Sequence, residues 1–554
     1  MVCLLLCFLL LILIIIALYA IFVIKFPPKA PKLDLLDYVP EKSGSVSYIR
    51  KNWLHLNKWG LYDMYIQGAP FERGVINGRL AQELIYTQEK IFVDEIRNIV
   101  KSKIYLSILK YVVAWINRKL KNNFGREYDL EIYGVSLSAS KDFKLIGPAY
   151  MRLLNYHAAH DIGHMLQDMK LVGCTSFAML GSRTVDGKII HARNFDFYIG
   201  DEFCKEKIVT FYAPDTGNKF VMITWGALIG TVSGMNMKGL AITVNAAKSK
   251  LSVKVATPVT ILIRKMLQYA TNIDEAVAIA RETRIFVSES ILISSGCENR
   301  MLIIEKTPYR TEIFEPGTEK IICTNHFQSD QLKNDPLNME QIEKSASMYR
   351  YKRVEELLDE IPVLSVKSAV DVLRDRKGLG GISIGYGNEK AINQLLAHHS
   401  VIFCPADLKL WVSAGSYGLG EFICYELDKV FNNSGNFMSA SGIVNENETI
   451  EADKFLKYDG YCNFEKFKAI KSEVSAARIT QDISHSRINE MIASNPDYYV
   501  AYWVAGDYFC KRKKFNEALA MYEQALHKEI ATAQEQKQIM KKRDFCAKKL
   551  SRHT

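Results

Sequence analysis

The chain has 554 residues, 48% hydrophobic and 24% charged, a composition that fits about two to four folded units and excludes a largely disordered protein. Its net charge of +10 is partly local: twelve Lys or Arg face five Asp or Glu between Lys511 and Arg552, without an arginine-rich stripe of interleaved aromatics, so a solvated helical face is expected and no nucleic-acid partner. The eleven cysteines are scattered with no CxxC and no metal-ligand spacing, so neither a disulfide framework, a zinc site nor a cofactor is expected.

In chain order, residues 1–24 come first. They carry no charge and are long enough, at ~1.5 Å per residue, to span a ~30 Å hydrocarbon core. They read as a single-pass membrane anchor. Lys25, Lys29 and Lys32 behind it leave undetermined which side carries the rest of the chain. Residues 25–60, with the Pro27-Pro28-Lys29-Ala30-Pro31 spacer, read as a linker. The strand-like LYDMYIQG from Leu61 leads into APFERGVINGRL, where Gly68, Pro70, Gly74 and Gly78 mark a turn before a helix from Leu80 to Val100. A second helical stretch runs from Ile104 to Leu120, with Arg118 and Lys119 in a basic last turn.

From Cys174 the pattern changes to strands: TSFAML, KIIHARNFDF, KFVMITW, GLAITVN, ESILISSG, MLIIEK, EKIICTNHF and HSVIFCPADLKLWVSAG. Helical runs separate them, notably VTILIRKMLQYA, IDEAVAIARE and SASMYRYKRVEELLDEI. Strands in hairpins with helices grouped between them point to an α+β layered sandwich. Residues 431–475 read as a polar linker. In the helical tail, residues 476–554, Tyr502, Gly506, Phe509, Ala518, Tyr522 and Ala525 fall at tetratricopeptide spacing, with Gly506 and Ala518 letting two helices approach closely. One such unit is too short to stand alone and is expected to dock on the body, the membrane or a protein partner.

The chemistry concentrates around Gly173-Cys174. If the connection between the first two strands is Arg183 to Gly187, Cys174 lies opposite Asp196; a two-residue turn at Asp186-Gly187 would place it opposite Ile199. In the first register a thiol, a carboxylate and Arg193 share one end of a ribbon. A guanidinium there favours the thiolate. Were the Gly173–Cys174 bond cut, the new α-amine would serve as the base for its own thiol, with Asp196 holding it in place.

These residues carry a resemblance. GCTSF followed by DGKIIHARNFDF resembles the start of the β-chain in N-terminal-nucleophile hydrolases of the acyl-coenzyme A:6-aminopenicillanate acyltransferase family, relatives of choloylglycine hydrolase, penicillin V acylase and acid ceramidase. GAPFERGVINGRL, SGMNMKGLAITVN, ICTNHF, SASMYRYKRVEEL and HSVIFCPADLKLWVSAG resemble further blocks in family order, over about Leu61 to Leu427. The resemblance implies a four-layer αββα sandwich, with residues 61–173 as its α-chain part and 174–430 as its β-chain. It implies autocatalytic exposure of Cys174 as nucleophile, with Arg193 and Asp196 beside it. It also implies Asn245 as an oxyanion donor, Asn325 at the acyl or tetrahedral centre, and Arg350 as the later arginine, with Arg353 the other candidate. His191, His326 and His399 invite a Cys-His pair, but no spacing singles one out, and structural roles are expected for them.

The expected activity is cleavage or transfer of acyl groups at non-peptide C–N amide bonds through a thioester acyl-enzyme, on a small N-acyl amide or acyl-thioester. The alternative is an inactive membrane-tethered scaffold that binds a partner through its helical tail.

Overall fold

The computed structural model of the protein describes residues 2–24, 27–99, 102, 120, 123–158, 173–197, 200–250, 252, 256–433 and 442–551. Two sheets form its body. The larger has 11 strands in the spatial order β1 (Glu41–Ser43), β2 (Val46–Ile49), β3 (Asn52–Leu56), β4 (Tyr62–Gly68), β7 (Ile208–Pro214), β8 (Phe220–Thr224), β9 (Ser233–Asn236), β10 (Leu240–Ala247), β11 (Ser288–Ser295), β12 (Arg300–Lys306) and β13 (Thr311–Phe314). The smaller has 6, in the order β14 (Lys320–Cys323), β5 (Thr175–Met179), β6 (Ile190–Asp196), β15 (Ala397–Cys404), β16 (Lys409–Ser413) and β17 (Phe422–Glu426). All neighbours are antiparallel except β4 and β7, which run parallel.

The described helices are α1 (Val2–Ile24), α2 (Pro70–Leu80), α3 (Gln82–Ile99), α4 (Arg126–Ser136), α5 (Ala149–His157), α6 (Val259–Tyr269), α7 (Ile273–Glu282), α8 (Pro336–Lys344), α9 (Ser347–Glu360), α10 (Val366–Leu373), α11 (Leu427–Asn433), α12 (Asp459–Ala476), α13 (His485–Ser494), α14 (Tyr499–Lys511), α15 (Phe515–Leu526) and α16 (Ala533–Leu550).

Strand alternation builds the layers. In β8, Phe220 and Met222 pack with Val75, Ile132 and Leu262 of the helices on one face. Val221 and Ile223 point the other way, against Val401, Phe403 and Val412 of the smaller sheet. On the far side of that sheet, Phe177, Ala192 and Ile402 pack against Val354 and Leu358 of α9 and Val370 and Leu373 of α10. The order is therefore helix, sheet, sheet, helix. Strands covered on both faces read as unbroken apolar runs, as FVMIT does.

Three expectations change. APFERGVINGRL is no turn: Pro70 starts α2, and its glycines face α4. A Cβ on Gly74 would lie 2.1 Å from the Glu131 carbonyl, and one on Gly134 would lie 2.6 Å from that of Phe71, so the glycines permit close helix packing. Within residues 25–60, β1, β2 and β3 extend the larger sheet outward from β4. Within residues 431–475, α12 joins the tail, where Phe467, Ile470 and Val474 pack with Ile488, Tyr508 and Tyr522.

The tail packs on the body, as one of the three options had it. A Cβ on Gly385 would lie 2.4 Å from Tyr498, and Asn495 exchanges hydrogen bonds with the backbone of Tyr386. In the tail itself Tyr522 lies against Gly506, where a Cβ would sit 2.6 Å from the ring. The helical stretch read between Ile104 and Leu120 falls, apart from Leu120, outside the described residues. Among the described residues no helix is long and apolar enough to cross a membrane.

Candidate active site

The hairpin of β5 and β6 brings the site together in a register that neither turn reading anticipates. Thr175 pairs with Asn194 and Ser176 with Arg193, one step from the expected pairing. The connection is longer, residues 180–189, because Gly181 and Gly187 both take positive φ and Leu364 pairs with Thr184. Beyond the last pair, the Gly173 N–H donates to the Asp196 carbonyl at 3.1 Å. Asp196 is thus beside the Gly173–Cys174 bond and not directly across from the thiol.

Alternation sorts the side chains. Ser176, Arg193 and His191 face the inter-sheet side, where Arg193 donates to the carbonyls of Val232 and Val244 and to the Ser233 hydroxyl. Its Nη2 lies 3.5 Å from Cys174 Sγ, and its guanidinium sits 4.5 Å from the Phe195 ring centroid. On the other side, α9 presents Arg350. This residue donates to the Cys174 carbonyl at 2.6 Å, to Thr175 Oγ1 at 2.9 Å and to Asn325 Oδ1 at 2.8 Å. Asn325 in turn donates from Nδ2 to the Ala246 carbonyl at 2.9 Å. Arg353 is turned away, in ion pairs with Asp375 and Glu356.

Asn245 belongs to a neighbouring network. It accepts from Ser176 Oγ at 2.9 Å and donates to the carbonyls of Cys323 and Thr324, which occupies its amide hydrogens. The three histidines have partners other than the thiol. His191 bonds Ser294 and Thr243, His326 bonds Thr324 and Ser347, and His399 bonds Ser233 and His398. Burial pushes His191 down to about 3 and His326 down to about 4, so both are neutral.

The electrostatics are those of a dry site. Cys174, Arg193 and Asp196 are fully buried. Burial pushes the Cys174 thiol above its usual range, and the opposing pull of Arg193 does not overcome it, so in the uncut chain the thiol is protonated. Burial pushes the Asp196 carboxyl up to about 7 against the pull of Arg350 and Arg193. Neither carboxyl oxygen of Asp196 has a hydrogen-bond partner among the described residues. A cleft of about 900 Å³ lies elsewhere, lined by Arg374, Arg376, Asp453 and Phe455 and not by Cys174.

One contact had no signal in the sequence. Gln394, from the loop before β15, donates from Nε2 to the Gly173 carbonyl at 2.8 Å. No motif surrounds it, and it lies far along the chain from Cys174.

The body is thus an α+β fold, a helix–sheet–sheet–helix sandwich with Cys174 just ahead of a central hairpin. Residues 182–418 match the family model described as acyl-coenzyme A:6-aminopenicillanic acid acyl-transferase, a stretch that includes Arg193, Asp196, Asn245, Asn325 and Arg350 and begins after Cys174.

An Archaeoglobus fulgidus protein described as uncharacterized is 24% identical over 254 residues, 43% of this chain and 42% of its own length, so the chain spans less than half of that relative. Among solved structures, a Caenorhabditis elegans N-acylethanolamine-hydrolyzing acid amidase ortholog is 18% identical with a TM-score of 0.31, over 42% of this chain and 93% of its own. A conjugated bile acid hydrolase variant from Clostridium perfringens is 12% identical with a TM-score of 0.32, over 46% and 93%. At such scores the two structures carry no argument.

Proposed function

We propose that the protein is a self-processing cysteine amidase or acyltransferase, in which Cys174 becomes an amino-terminal nucleophile when the bond after Gly173 is cut. The observation that carries this reading is the group of buried charges around that bond: Arg193 at 3.5 Å from the thiol, Arg350 on the Cys174 carbonyl, and Asp196 unpartnered beside them. A structural ion pair leaves no carboxylate in that state. Cleavage supplies the missing charge, because a free α-amine at Cys174 gives the thiol a base of reference pKa ~8 and, once it has taken the thiol proton, gives Asp196 an ammonium to hold.

The roles follow from position. Cys174 Sγ attacks the acyl carbon of a non-peptide amide, the amine leaves, and a thioester forms. Water then yields hydrolysis and a second amine yields transfer. Arg193 draws the thiol toward the thiolate, and Arg350 orients the Cys174 backbone and Asn325. Asn325, with one described hydrogen bond from Nδ2, is the better placed oxyanion donor, while Asn245 would first have to release the carbonyls of Cys323 and Thr324. Residues 1–24, uncharged in sequence, serve as a membrane anchor in this reading, and the helical tail as a tetratricopeptide-like unit.

Intact mass and amino-terminal sequencing of the purified full chain test it. The expected result is a fragment beginning at Cys174, with Cys174→Ala remaining one chain and inactive on a panel of N-acyl amides. An intact wild-type chain whose Cys174 ignores thiol probes would overturn the reading and favour a tethered scaffold.

A further inference from the structure

Resting on the self-cleavage reading, we infer that Gln394 is the catalytic oxyanion donor for the cut itself: its Nε2–H binds the carbonyl oxygen of the scissile Gly173–Cys174 bond. In that step Cys174 Sγ adds to the Gly173 carbonyl carbon, and the carbonyl electron pair moves to the oxygen that Gln394 holds at 2.8 Å. The C–N bond then breaks and the nitrogen takes the thiol proton, leaving Gly173 as a thioester on Sγ and Cys174 with a free α-amine. Water adds to the thioester, the sulfur leaves with one of the water protons, the α-amine of Cys174 takes the other, and Gly173 ends as a carboxylate. Charge develops on the Gly173 oxygen in both halves, and a donor already in place needs no reorganisation to meet it.

The surroundings hold that amide ready. Gln394 is buried. Asn393 on one side donates to the Tyr417 carbonyl, and its backbone N–H bonds the Asp375 carbonyl. On the other side, Leu395 adopts a left-handed φ of 54° and donates its N–H to Asn393 Oδ1 at 3.0 Å. A non-glycine residue held at positive φ is a strained conformation that the fold sustains beside this contact. At Gly173 a Cβ would lie 2.3 Å from Gln394 Nε2, so the residue before the cut must be glycine for the amide to reach the carbonyl. The bond is gripped from both ends, since the Gly173 N–H bonds the Asp196 carbonyl and Arg350 holds the Cys174 carbonyl.

The test is self-cleavage of the full chain, synthesised cell-free, shifted to buffers from pH 5 to 8 and followed by intact mass. Gln394→Ala and Gln394→Glu should each slow the appearance of the Cys174 fragment on the order of 100-fold at pH 7.5. Glutamate keeps the shape and donates only when protonated, so the deficit of Gln394→Glu relative to wild type should narrow toward pH 5. Near-ultraviolet circular dichroism matched to wild type shows that this variant is folded. Two outcomes overturn the assignment while leaving self-cleavage intact: both variants cutting at the wild-type rate, or a deficit of Gln394→Glu that stays constant with pH, which marks packing alone. A wild-type chain that never cuts overturns the self-cleavage reading and this inference together.

Discussion

Two buried carboxylates separate the finished part of this molecule from the unfinished one. Glu131, on α4, receives Arg73 at 2.7 and 2.9 Å and Arg264 at 2.7 and 2.9 Å. Burial alone would push it up, but Arg264 and then Arg73 outweigh that and hold it down at about 2. Asp196, equally buried, has two arginines near it but no hydrogen-bond partner for its carboxyl oxygens among the described residues, and burial raises it to about 7. The same solvent exclusion thus gives a permanent charge in one place and a nearly neutral acid in the other. The difference lies in whether donors reach the oxygens. A charge locked by four bonds serves the fold; an acid without partners is suited to a reaction that creates one.

The comparison breaks first at Glu131. Glu131→Gln leaves the buried Arg264 without a carboxylate and Arg73 with Glu127 alone, and a loss of about 3–5 kcal/mol is expected in chemical denaturation. An unchanged midpoint would show that the cluster is not structural. Asp196 should behave in the opposite way. Kept uncut by Cys174→Ala, the chain should lose stability as pH rises from about 4 through about 7, because the raised folded-state pKa stabilises only the protonated form. Adding Asp196→Asn should remove that slope, worth on the order of 4 kcal/mol at pH 8, and in a Cys174 background it should abolish the cut. Glu131 has the reverse sign: its contribution is present above pH ~4.5 and is lost as pH falls through about 2.

A smaller effect tests the scaffold on which Glu131 rests. Gly74→Ala drives a methyl to 2.1 Å from the Glu131 carbonyl and should cost about 1–3 kcal/mol by thermal melting, with the pH slope from Asp196 unchanged. The smallest concerns the tail. Lys390 and Glu529 pair at 2.5 Å while partly exposed, so Lys390→Met should cost less than about 1 kcal/mol and leave the cut unaffected.

How much of this was legible depended on whether a residue's partners were near in sequence or only in space. The strand cores FVMIT and LAITVN were plain because burial on both faces keeps them free of charge and largely apolar. The strands in EKSGSVSYIRKNWLHL were not, since they lie toward the edge of the sheet and alternate charge with apolar residues. Gly74 and Gly78 misled because a glycine that admits a neighbouring helix looks, in one dimension, like one that ends a helix. At the site, Cys174, Arg193 and Asp196 stood within one hairpin, and Arg350 could be separated from Arg353 only once α9 was seen to turn it toward Cys174. The register slipped by one residue because a long, glycine-kinked connection was read as a short one. Gln394 was invisible, as a single side chain delivered by a distant loop leaves no pattern.

The parallel pairing of β4 with β7 has a consequence for how the protein would age. Tyr62 to Gly68 run beside Ile208 to Pro214 in the middle of the larger sheet, and the Gly173–Cys174 bond lies between them in the chain. While that bond is whole, the two halves share one polymer and refolding is a first-order event. Once it is cut, the seam joins two molecules, and reassembly after unfolding depends on their concentration and on finding a register that the chain once supplied for nothing. The cut species would persist by the height of its unfolding barrier and not by its equilibrium. If the chain cuts itself as proposed, its maturation is a one-way passage: the cut form can be made only by folding first and breaking afterwards.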